Sequence, residues 1–556
     1  MSTINANEFI DELIFCLKEK DIIKAKALLQ FASDSDVDAD IQRKALIEIA
    51  KASEKIAFPL LEYLTKIEIS DSKVKEYLYE LILDKAYGNT QLVIKNITEN
   101  EKKARLLFIK AAGDLLLTET APALQEIITK EQDKEILITA IESLGKLRLP
   151  ESLKIFTPIA SQEDKELKQA AIFAVAEISG NAAIDQLMGF IGEDELTNKF
   201  AVEAIAAIQD LYALDKLTSL LSSKITIVRD TAIDQLMKLG NKATPIITKA
   251  FQNADADYLV HLVTTLGYIG DPAAVAPIID IINTQPEDAN IRQAIYEAME
   301  RIPSPKTAIS LVNGLQDPVE SVRMSAARAI DKNLSKTLVA GLRNVVREGS
   351  SDSLNAVASL IDAEAANIFN FLAEEESFLE LAEKHVTTKV DSATKKVFLK
   401  QMAGIGQKEF AKKIADQTTD EKEPSARSTQ IIVIDDSKMM LKLYTNKLTV
   451  LGFKPITFDR PEDAIPKILG EKPDLVITDL NMPNISGLEL TREIRKKYTR
   501  QDLPILMITT QSDFVEKKDG DIDINDSTLT KSGINHVLHK PFSDEDFKTT
   551  IESFIK

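Results

Sequence analysis

An internal repeat restricts the fold of this chain more than any other feature of its sequence. Glycines follow amphipathic helical patterns at spacings of 32, 35, 60 and 30 residues, with one marker skipped near Asp210. Each of them is predicted to occupy the C′ position, with the positive φ that ends a helix. A period of about 30 to 35 residues with two helices per unit predicts a stacked α-solenoid. These glycines are Gly113, Gly145, Gly180, Gly240 and Gly270.

The clearest single unit of this repeat is LQDPVESVRMSAARAI, residues 315–330. Asp317 and Pro318 are typical of a turn followed by a helix start. The unit resembles HEAT repeats, including the short variety found in phycobilin-lyase-type proteins. The resemblance covers about residues 96–335, and the flanking 1–95 and 336–417 are predicted to be irregular helical ends of the same all-α solenoid.

The surface of such a solenoid is predicted to bind another protein, because stacking leaves a long face uncovered. Arg229, Arg292 and Arg323 are expected to brace neighbouring repeats through carboxylates in the turns. His261 and His385 are isolated in the sequence and are expected to be packing or surface residues. Because no catalytic constellation is visible, a bilin-lyase-like enzyme is the less favoured alternative, and the chain is not expected to be an enzyme.

The composition agrees with a helical protein and argues against several other classes. Glycine and proline together number 38 and tryptophan is absent, which argues against an all-β protein rich in turns. The net charge of −19 makes nucleic acid a poor partner. Cys16 is the only cysteine, which excludes an intrachain disulfide and a Cys-based zinc site. Without a signal peptide or a membrane-spanning apolar stretch, the expected location is cytoplasmic, with no membrane insertion.

A change of pattern near residue 420 marks a second domain. The charged and polar segment 418–429 is predicted to be a linker. In residues 430–556, five short apolar runs are separated by amphipathic helical segments, which predicts an alternating β/α chain with a parallel sheet. The runs are 431–435, 455–458, 475–479, 505–509 and 536–540.

Polar side chains stand at the ends of four of these predicted strands: Asp435 with Asp436, Asp479, Thr509 and Lys540. Open α/β sheets bind ligands at the carboxyl ends of their strands, so these groups are expected to converge. Three close carboxylates repel one another unless a cation joins them, and hard oxygen ligands suit Mg²⁺. A metal beside a lysine can neutralise phosphoryl oxygens. The sequence therefore predicts Mg²⁺-dependent phosphorylation of an aspartate.

The motifs DD (435–436), DLNMPNISG (479–487), the Thr509 hydroxyl and KPF (540–542) resemble the receiver domain of bacterial response regulators. This resemblance covers the whole segment 430–556. It implies a doubly wound α/β, flavodoxin-like fold with five parallel strands in the order 2-1-3-4-5. It also implies that Asp479 accepts phosphate from a partner histidine kinase or phosphotransfer protein.

The resemblance further assigns the metal ligands. Asp436, Asp479 and the main-chain carbonyl of Asn481 would bind Mg²⁺ directly, while Asp435 would act mostly through water. Lys540 would pair with the phosphoryl group.

By the same resemblance, Thr509 would hydrogen-bond the phosphoryl group in the active state. Met482, Pro483 and Gly487 would shape the loop after the phosphoacceptor. The peptide bond before Pro541 is expected to be cis.

The sequence departs from the family at the switch position, where Val537 replaces the usual aromatic residue three positions before Lys540. A swinging aromatic ring therefore cannot be the readout. His536 is adjacent, but strand alternation points it to the opposite face. Thr510 stands where the family usually has a small residue, which would narrow access to the pocket.

A second departure is the long segment between Thr509 and Lys540. The excess lies in the acidic stretch 515–533, where Asp519, Asp521, Asp523 and Asn525 alternate with other residues as in a calcium loop. Because the glycine and the bidentate glutamate of an EF-hand are missing, a solvated acidic loop is favoured over a Ca²⁺ site.

These patterns predict a two-component signalling protein in which a phosphorylatable receiver regulates or recruits a HEAT-like scaffold. The alternative is a constitutive binding scaffold whose receiver is a docking module or a phosphate sink. In both cases the receiver accepts and slowly loses a phosphoryl group, and the partner of the solenoid is an unidentified protein.

Overall fold

The computed structural model describes residues 6–34, 39–67, 69, 71–388, 390, 392–418, 429–480, 482, 485–510, 532–540 and 542–555. The chain divides into two compact units. One comprises Met1–Leu220 and Ile225–Gln235, and the other comprises Leu221–Lys224 and Leu236–Lys556. Most of the predicted linker 418–429 and of the acidic stretch 515–533 lies outside the described residues, so both stay predictions.

The part of the chain before the predicted linker is helical throughout the described residues, as the repeat predicts. Its α-helices are Ala6–Glu19, Ile22–Asp34, Ala39–Lys51, Glu54–Leu64, Ser72–Ala86, Thr90–Glu99, Lys102–Asp114, Ala121–Lys130, Lys134–Lys146, Leu153–Ala160, Lys165–Ile178, Asn181–Gly189, Glu195–Ile208, Leu211–Ser219, Thr226–Leu239, Thr244–Ala250, Ala256–Ile269, Val275–Asn283, Ala289–Arg301, Ala308–Gly314, Glu320–Lys332, Lys336–Arg347, Ser351–Asp362, Ala366–Leu372, Glu376–Thr388, Ser392–Gly404 and Lys408–Thr418. Single 3₁₀ turns occur at Thr118–Thr120, Pro150–Ser152, Leu220–Ser222, Gly240–Lys242, Phe251–Asn253, Pro272–Ala274 and Pro305–Thr307.

Aspartate caps fix where several of these helices begin. Asp133, Asp164 and Asp194 each precede a helix, and each side chain accepts hydrogen bonds from main-chain N–H groups two and three residues later. Such caps satisfy donors that have no partner inside the helix. The helices between them pack through alanine-rich buried faces, which lets successive repeats stack closely.

The predicted role of the repeat glycines is correct at three positions and wrong at two. Gly180, Gly240 and Gly270 have φ values of 81°, 60° and 75°. Gly113 and Gly145 instead lie inside helices Lys102–Asp114 and Lys134–Lys146.

Close packing between repeats explains these two glycines. A Cβ atom on Gly113 would lie 2.8 Å from the Cα atom of Ser143, and one on Gly145 would lie 2.8 Å from the Cα atom of Ala174. The positive φ falls a few residues later, at Leu116 and Arg148. Both glycines are therefore needed for close helix approach rather than for helix termination.

Cations connect successive repeats through turn carboxylates, and the prediction made for the arginines is correct for Arg292 and wrong for Arg323. Arg292 donates to Asp317 through Nε at 2.6 Å and through one terminal nitrogen at 3.1 Å. Arg323 instead donates to the main-chain oxygens of Asp317 and Pro318, in the turn before its own helix. Lys168 makes the equivalent link to the helix cap Asp194.

His385, expected to be a packing residue, is 7% exposed, and its Nε2 atom lies 3.0 Å from Asp362. The sequence contained no signal that Lys168 would link two repeats through Asp194, because lysine is common on solvated helix faces.

The C-terminal part contains a five-stranded parallel sheet in the order β2-β1-β3-β4-β5, as the resemblance implies. Its strands are β1 Gln430–Ile434, β2 Lys454–Phe458, β3 Leu475–Thr478, β4 Ile505–Thr510 and β5 His536–Lys540. The described helices around it are Lys438–Val450, Pro461–Glu471, Gly487–Arg495 and Asp544–Phe554.

Alternation along β1 assigns these helices to the two faces of the sheet. Ile431 and Val433 share a buried cluster with residues of helices 438–450 and 544–554. Ile432 and Ile434 share another with residues of helices 461–471 and 487–495. A strand covered on both faces is apolar at every position, which explains the uninterrupted IIVI run. The carboxyl ends of the strands therefore form one edge between two helical layers.

Candidate functional site

The predicted site residues at the ends of β1, β3 and β5 come together at the carboxyl edge of the sheet. Asp435 directly follows β1 and Asp479 directly follows β3, while Lys540 is the last residue of β5. Main-chain hydrogen bonds hold both aspartates at the edge: the Asp479 N–H donates to Ile434 O at 3.0 Å, and the Asp435 N–H donates to Phe458 O at 3.3 Å. The sheet itself positions the two carboxylates.

Lys540 bridges these carboxylates. Its Nζ atom donates to Asp435 Oδ2 at 3.0 Å and to Asp479 Oδ1 at 2.7 Å. The exposed fractions of the three side chains are 17% for Lys540, 2% for Asp435 and 12% for Asp479. Charge-assisted hydrogen bonds with so little solvent access fix the orientation of the Asp479 carboxylate.

The protonation of the site reflects burial and mutual charge. Burial raises the pKa of Asp435, and Lys540 offsets only part of this effect. Burial alone would lower the pKa of Lys540, but the charges of Asp435 and Asp479 outweigh it and raise that pKa well above its usual value. Lys540 therefore remains a cation at neutral pH.

Asp436 is more exposed than Asp435 but is still partly desolvated, which raises its pKa, and the charge of Asp479 acts in the same direction. Asp435, Asp436 and Asp479 with Lys540 carry a formal charge of −2, from three carboxylates and one ammonium. This excess of negative charge favours a further cation.

The chemistry of this donor set fits Mg²⁺. Among the residues that the structure describes, no three His, Cys, Asp or Glu side chains lie close enough to hold a metal ion alone. Mg²⁺ is commonly bound through one or two carboxylates and keeps several water ligands. A site with few protein ligands and excess negative charge suits it.

Gly487, predicted to shape the loop after Asp479, lies in close contact with the main chain at Asp479 and Leu480. Its N–H donates to Leu480 O at 2.8 Å, and a Cβ atom at Gly487 would collide with the main-chain oxygen of Asp479. Met482 is 8% exposed and belongs to the same buried cluster as Ile434. The other predicted loop and ligand residues, Asn481, Pro483 and Pro541, lie outside the described residues.

Thr509 is 1% exposed and lies near the end of β4, the neighbour of β3 in the sheet. Val537 packs against a small cluster of Leu480, Met507 and Ile534. The position that is usually aromatic is therefore an ordinary apolar contact in this chain. His536 lies on the opposite face of β5, as strand alternation predicts, with its ring 6.5 Å from that of Phe554. The side chain of Thr510 lies outside the described part, so its effect on access stays a prediction.

Sequence reasoning missed two groups beside the site. Ser437 directly follows the aspartate pair, its N–H donates to Asp435 Oδ1 at 2.9 Å, and its side chain caps the next helix. A serine before an apolar helical pattern is a recognisable cap, so this residue could have been found. Tyr444 is 1% exposed and its ring stacks with those of Phe542 and Phe547. It gave no signal, because its place beside the site depends on the tertiary fold.

Comparisons with known proteins agree with this geometry. A family model described as response regulator receiver domain matches residues 431–552, and one described as HEAT repeats matches residues 90–176 and 244–331. A chemotaxis protein CheY homolog of Campylobacter jejuni is 30% identical over 128 residues, which cover 23% of this chain and 92% of that protein. Through this segment, the chain belongs to the response regulator receiver family.

Other relatives of the receiver domain give similar values. Chemotaxis protein CheY1 of Helicobacter pylori is 30% identical over 125 residues, which cover 22% of this chain and 94% of that protein. The solved response regulator protein TrrA of Thermotoga maritima, in complex with Mg(2+)-BeF, is 29% identical. It has a TM-score of 0.20 and covers 23% of this chain and 99% of that one.

The family match confirms both resemblances found in the sequence, a receiver domain and HEAT repeats in one chain. The receiver domain and its chemotaxis relatives support a role in two-component signalling. Among the described residues, no helix combines the length and apolarity that crossing a membrane requires.

Proposed function

We propose that this protein receives a phosphoryl group on Asp479 from a histidine kinase or phosphotransfer protein, and that phosphorylation regulates or recruits the HEAT scaffold. The observation that carries the proposal is the bridge from Lys540 to Asp435 and Asp479, at 3.0 and 2.7 Å. It holds a carboxylate nucleophile beside a fixed cation at the carboxyl edge of a parallel sheet.

In the proposed transfer, an Asp479 carboxylate oxygen forms a bond to phosphorus while the bond from phosphorus to the donor imidazole nitrogen breaks. The electron pair of the broken bond stays on the imidazole. Lys540, already 2.7 Å from Asp479, neutralises charge that develops on the phosphoryl oxygens. The Thr509 hydroxyl is the proposed hydrogen-bond donor to the product.

Asp436 and Asp479, with the main-chain carbonyl of Asn481, would hold Mg²⁺ directly, and Asp435 would act mostly through water. When bound, Mg²⁺ would supply charge neutralisation for the phosphoryl oxygens. The protein's own residues hold and orient the nucleophile. The acyl phosphate so formed is lost slowly, and we propose no separate enzymatic activity.

Labelling with a small phosphodonor tests the assignment. Wild-type protein mixed with Mg²⁺ and radiolabelled acetyl phosphate is expected to incorporate label, and removal of Mg²⁺ by a chelator should abolish it. Asp479→Asn should not be labelled, while Asp474→Asn, which alters an aspartate at the opposite end of β3, serves as the matched control. Equal labelling of wild type and Asp479→Asn would contradict the proposal.

A second candidate function is favoured by Val537. This residue packs against Leu480 and Met507 as an ordinary apolar side chain. Because it is a valine, no aromatic ring at this position can report the phosphorylated state. The receiver could then be a docking module or phosphate sink on a constitutive scaffold. Partner capture with wild type and Asp479→Asn separates the two candidates: equal capture supports the constitutive scaffold, and a difference supports regulation.

A further inference from the structure

The phosphoacceptor edge of the receiver opens into a cavity that is walled partly by HEAT helices. The cavity has a volume of about 1060 Å³. Asp435, Asp436, Asp479 and Lys540 line one side of it. HEAT residues line the other side, among them Glu297, Arg301, Arg323 and Met324. Both sides belong to the compact unit that includes residues 236–556.

An apolar contact joins the HEAT helix Glu320–Lys332 to the receiver. Met324 is 3% exposed and belongs to the buried cluster that includes Met440, Leu443 and Tyr444 of receiver helix Lys438–Val450. Ala363, just after helix Ser351–Asp362 in the helical segment that follows the matched HEAT repeats, packs against the same cluster. A methionine side chain shared between two domains excludes water from the contact and holds this receiver helix in place.

Two ion pairs connect the same receiver helix to the HEAT array. Lys447 Nζ lies 2.8 Å from Glu320 Oε2, and Lys442 Nζ lies 2.6 Å from Glu364 Oε1. The Lys447 side chain is only 14% exposed, so its charge is partly desolvated in the contact. The basic receiver helix and the acidic HEAT positions are thus complementary, and the pairs fix its register.

The position of this helix connects the contact to the chemistry. Helix Lys438–Val450 begins three residues after Asp435. The docked surface also reaches the phosphoacceptor, because Glu320, Met324 and Glu364 line the same cavity as Asp479. A cavity of this volume is of the size that small ligands occupy. A folded donor must instead bring its histidine ring into line with an Asp479 oxygen and contact the receiver around that carboxylate.

We propose that the HEAT surface formed by Glu320, Met324, Ala363 and Glu364 determines which phosphodonor reaches Asp479: docked, it admits small donors and excludes a folded phosphohistidine protein. This inference rests on the proposed phosphorylation of Asp479. Transfer from a protein donor then requires release of receiver helix 438–450 from the HEAT array. The apparent rate with such a donor equals the rate of the fully released protein multiplied by the fraction of molecules that are released.

The test compares two donors on the full-length chain. One is acetyl phosphate, and the other is a purified histidine phosphotransfer domain charged with phosphoramidate. Glu320→Lys places a like charge against Lys447, and Met324→Arg puts a cation into the apolar contact. Each should raise the rate with the protein donor about tenfold relative to that with acetyl phosphate.

Two matched variants keep the result interpretable. Asp114→Lys reverses the charge of a HEAT ion pair, with Lys146 at 2.7 Å, that does not involve the receiver, and it should leave the rate ratio unchanged. The exchange Glu320→Lys with Lys447→Glu restores an ion pair and should return the ratio toward wild type. Acetylation of Lys442 by acetic anhydride, measured by mass spectrometry, reports the release of receiver helix 438–450 directly. The extent of acetylation should rise in both Glu320→Lys and Met324→Arg.

Three outcomes would overturn the inference. The first is an increase in Lys442 reactivity without a change in the ratio of the two donor rates. The second is unchanged Lys442 reactivity in both Glu320→Lys and Met324→Arg. The third is that the protein donor fails to phosphorylate variants that acetyl phosphate labels. Failure of acetyl phosphate to label any variant would instead reject the proposed phosphorylation of Asp479 itself.

Discussion

The ammonium nitrogen of Lys540 lies 2.7 Å from Oδ1 of Asp479, and the same nitrogen lies 3.0 Å from Oδ2 of Asp435. A single cation thus holds two carboxylates that would otherwise repel each other. The arrangement fixes the nucleophile before any donor arrives. It also gives Lys540 two separable effects, on phosphoryl transfer and on cation binding.

Lys540→Met is expected to affect these two properties in opposite directions. Removing the ammonium makes the site one unit more negative, so Mg²⁺ affinity should rise, by about five- to tenfold. Labelling by acetyl phosphate at saturating Mg²⁺ should fall by at least about tenfold, because the cation that pairs with the phosphoryl oxygens is lost. Mg²⁺ titration and initial labelling rates measure the two effects. Lower Mg²⁺ affinity in the variant would contradict this electrostatic account.

Gly487→Ala is expected to destabilise the receiver by about 1–3 kcal/mol, because overpacking displaces the surrounding backbone. The new methyl group would meet the main-chain oxygen of Asp479, so labelling should also slow. Gly470→Ala is the matched control, since a Cβ atom there has nothing within 4 Å. It lies in helix Pro461–Glu471 and should stabilise by about 0.5–1 kcal/mol. Equal effects of the two substitutions in urea unfolding would refute the close-contact explanation.

The convergence of Asp435, Asp479 and Lys540 could be predicted from sequence because a parallel sheet gathers the carboxyl ends of its strands at one edge. The conformation of the repeat glycines was only partly predictable. Gly270 is required for its positive φ, whereas Gly145 is required for close approach of two helices. Both kinds of glycine can follow the same helical pattern in the sequence. The distinguishing contact comes from the next repeat and has no local signature.

The contact between the HEAT array and the receiver was not predictable either. Met324 lies among other buried apolar residues of its helix, and nothing near it in the sequence indicates a partner more than a hundred residues away. Glu320 and Lys447 are likewise ordinary helix-surface residues in sequence. Long-range pairing of this kind depends on how the two domains meet, which local periodicity does not encode.

The link between Lys168 and Asp194 should make the stability of the HEAT array depend on pH. Burial alone would raise the pKa of Asp194, but hydrogen bonds from Lys168 and Thr197 outweigh it and lower that pKa well below its usual value. A depressed folded-state pKa contributes stability above the unfolded-state pKa of about 4, and this contribution is lost as the pH falls toward the folded value.

Asp194→Asn isolates this charge effect, because asparagine also caps helices well. Lys168 is only 6% exposed, but the Asp194 side chain is 47% exposed and solvent screens the pair, so losing the carboxylate should lower the free energy of unfolding at pH 7 by about 1 kcal/mol. The difference from wild type should narrow below about pH 4. Asp164→Asn, at the equivalent cap whose partner Lys134 is 44% exposed, should have a smaller effect. Urea unfolding at pH 7 and pH 3 checks both variants, and a difference that widens at pH 3 would disprove the assignment.

Tyr444 gives the last prediction, because its ring and its hydroxyl have different roles. The ring is buried and stacks with Phe542 and Phe547, while the hydroxyl is buried near the Lys540 ammonium but makes no hydrogen bond of good geometry among the described residues. Tyr444→Phe keeps the packing and removes a desolvated polar group, so it should be neutral or stabilise by up to about 1 kcal/mol.

Tyr444→Ala should instead lower the free energy of unfolding by about 3–5 kcal/mol, as for other large buried aromatic residues. Labelling of Asp479 in Tyr444→Phe should remain within about twofold of wild type. Thermal unfolding and acetyl phosphate labelling of the two variants measure these effects. A loss of stability in Tyr444→Phe comparable to that in Tyr444→Ala would show that the hydroxyl, through the neighbouring Lys540, contributes more than the ring.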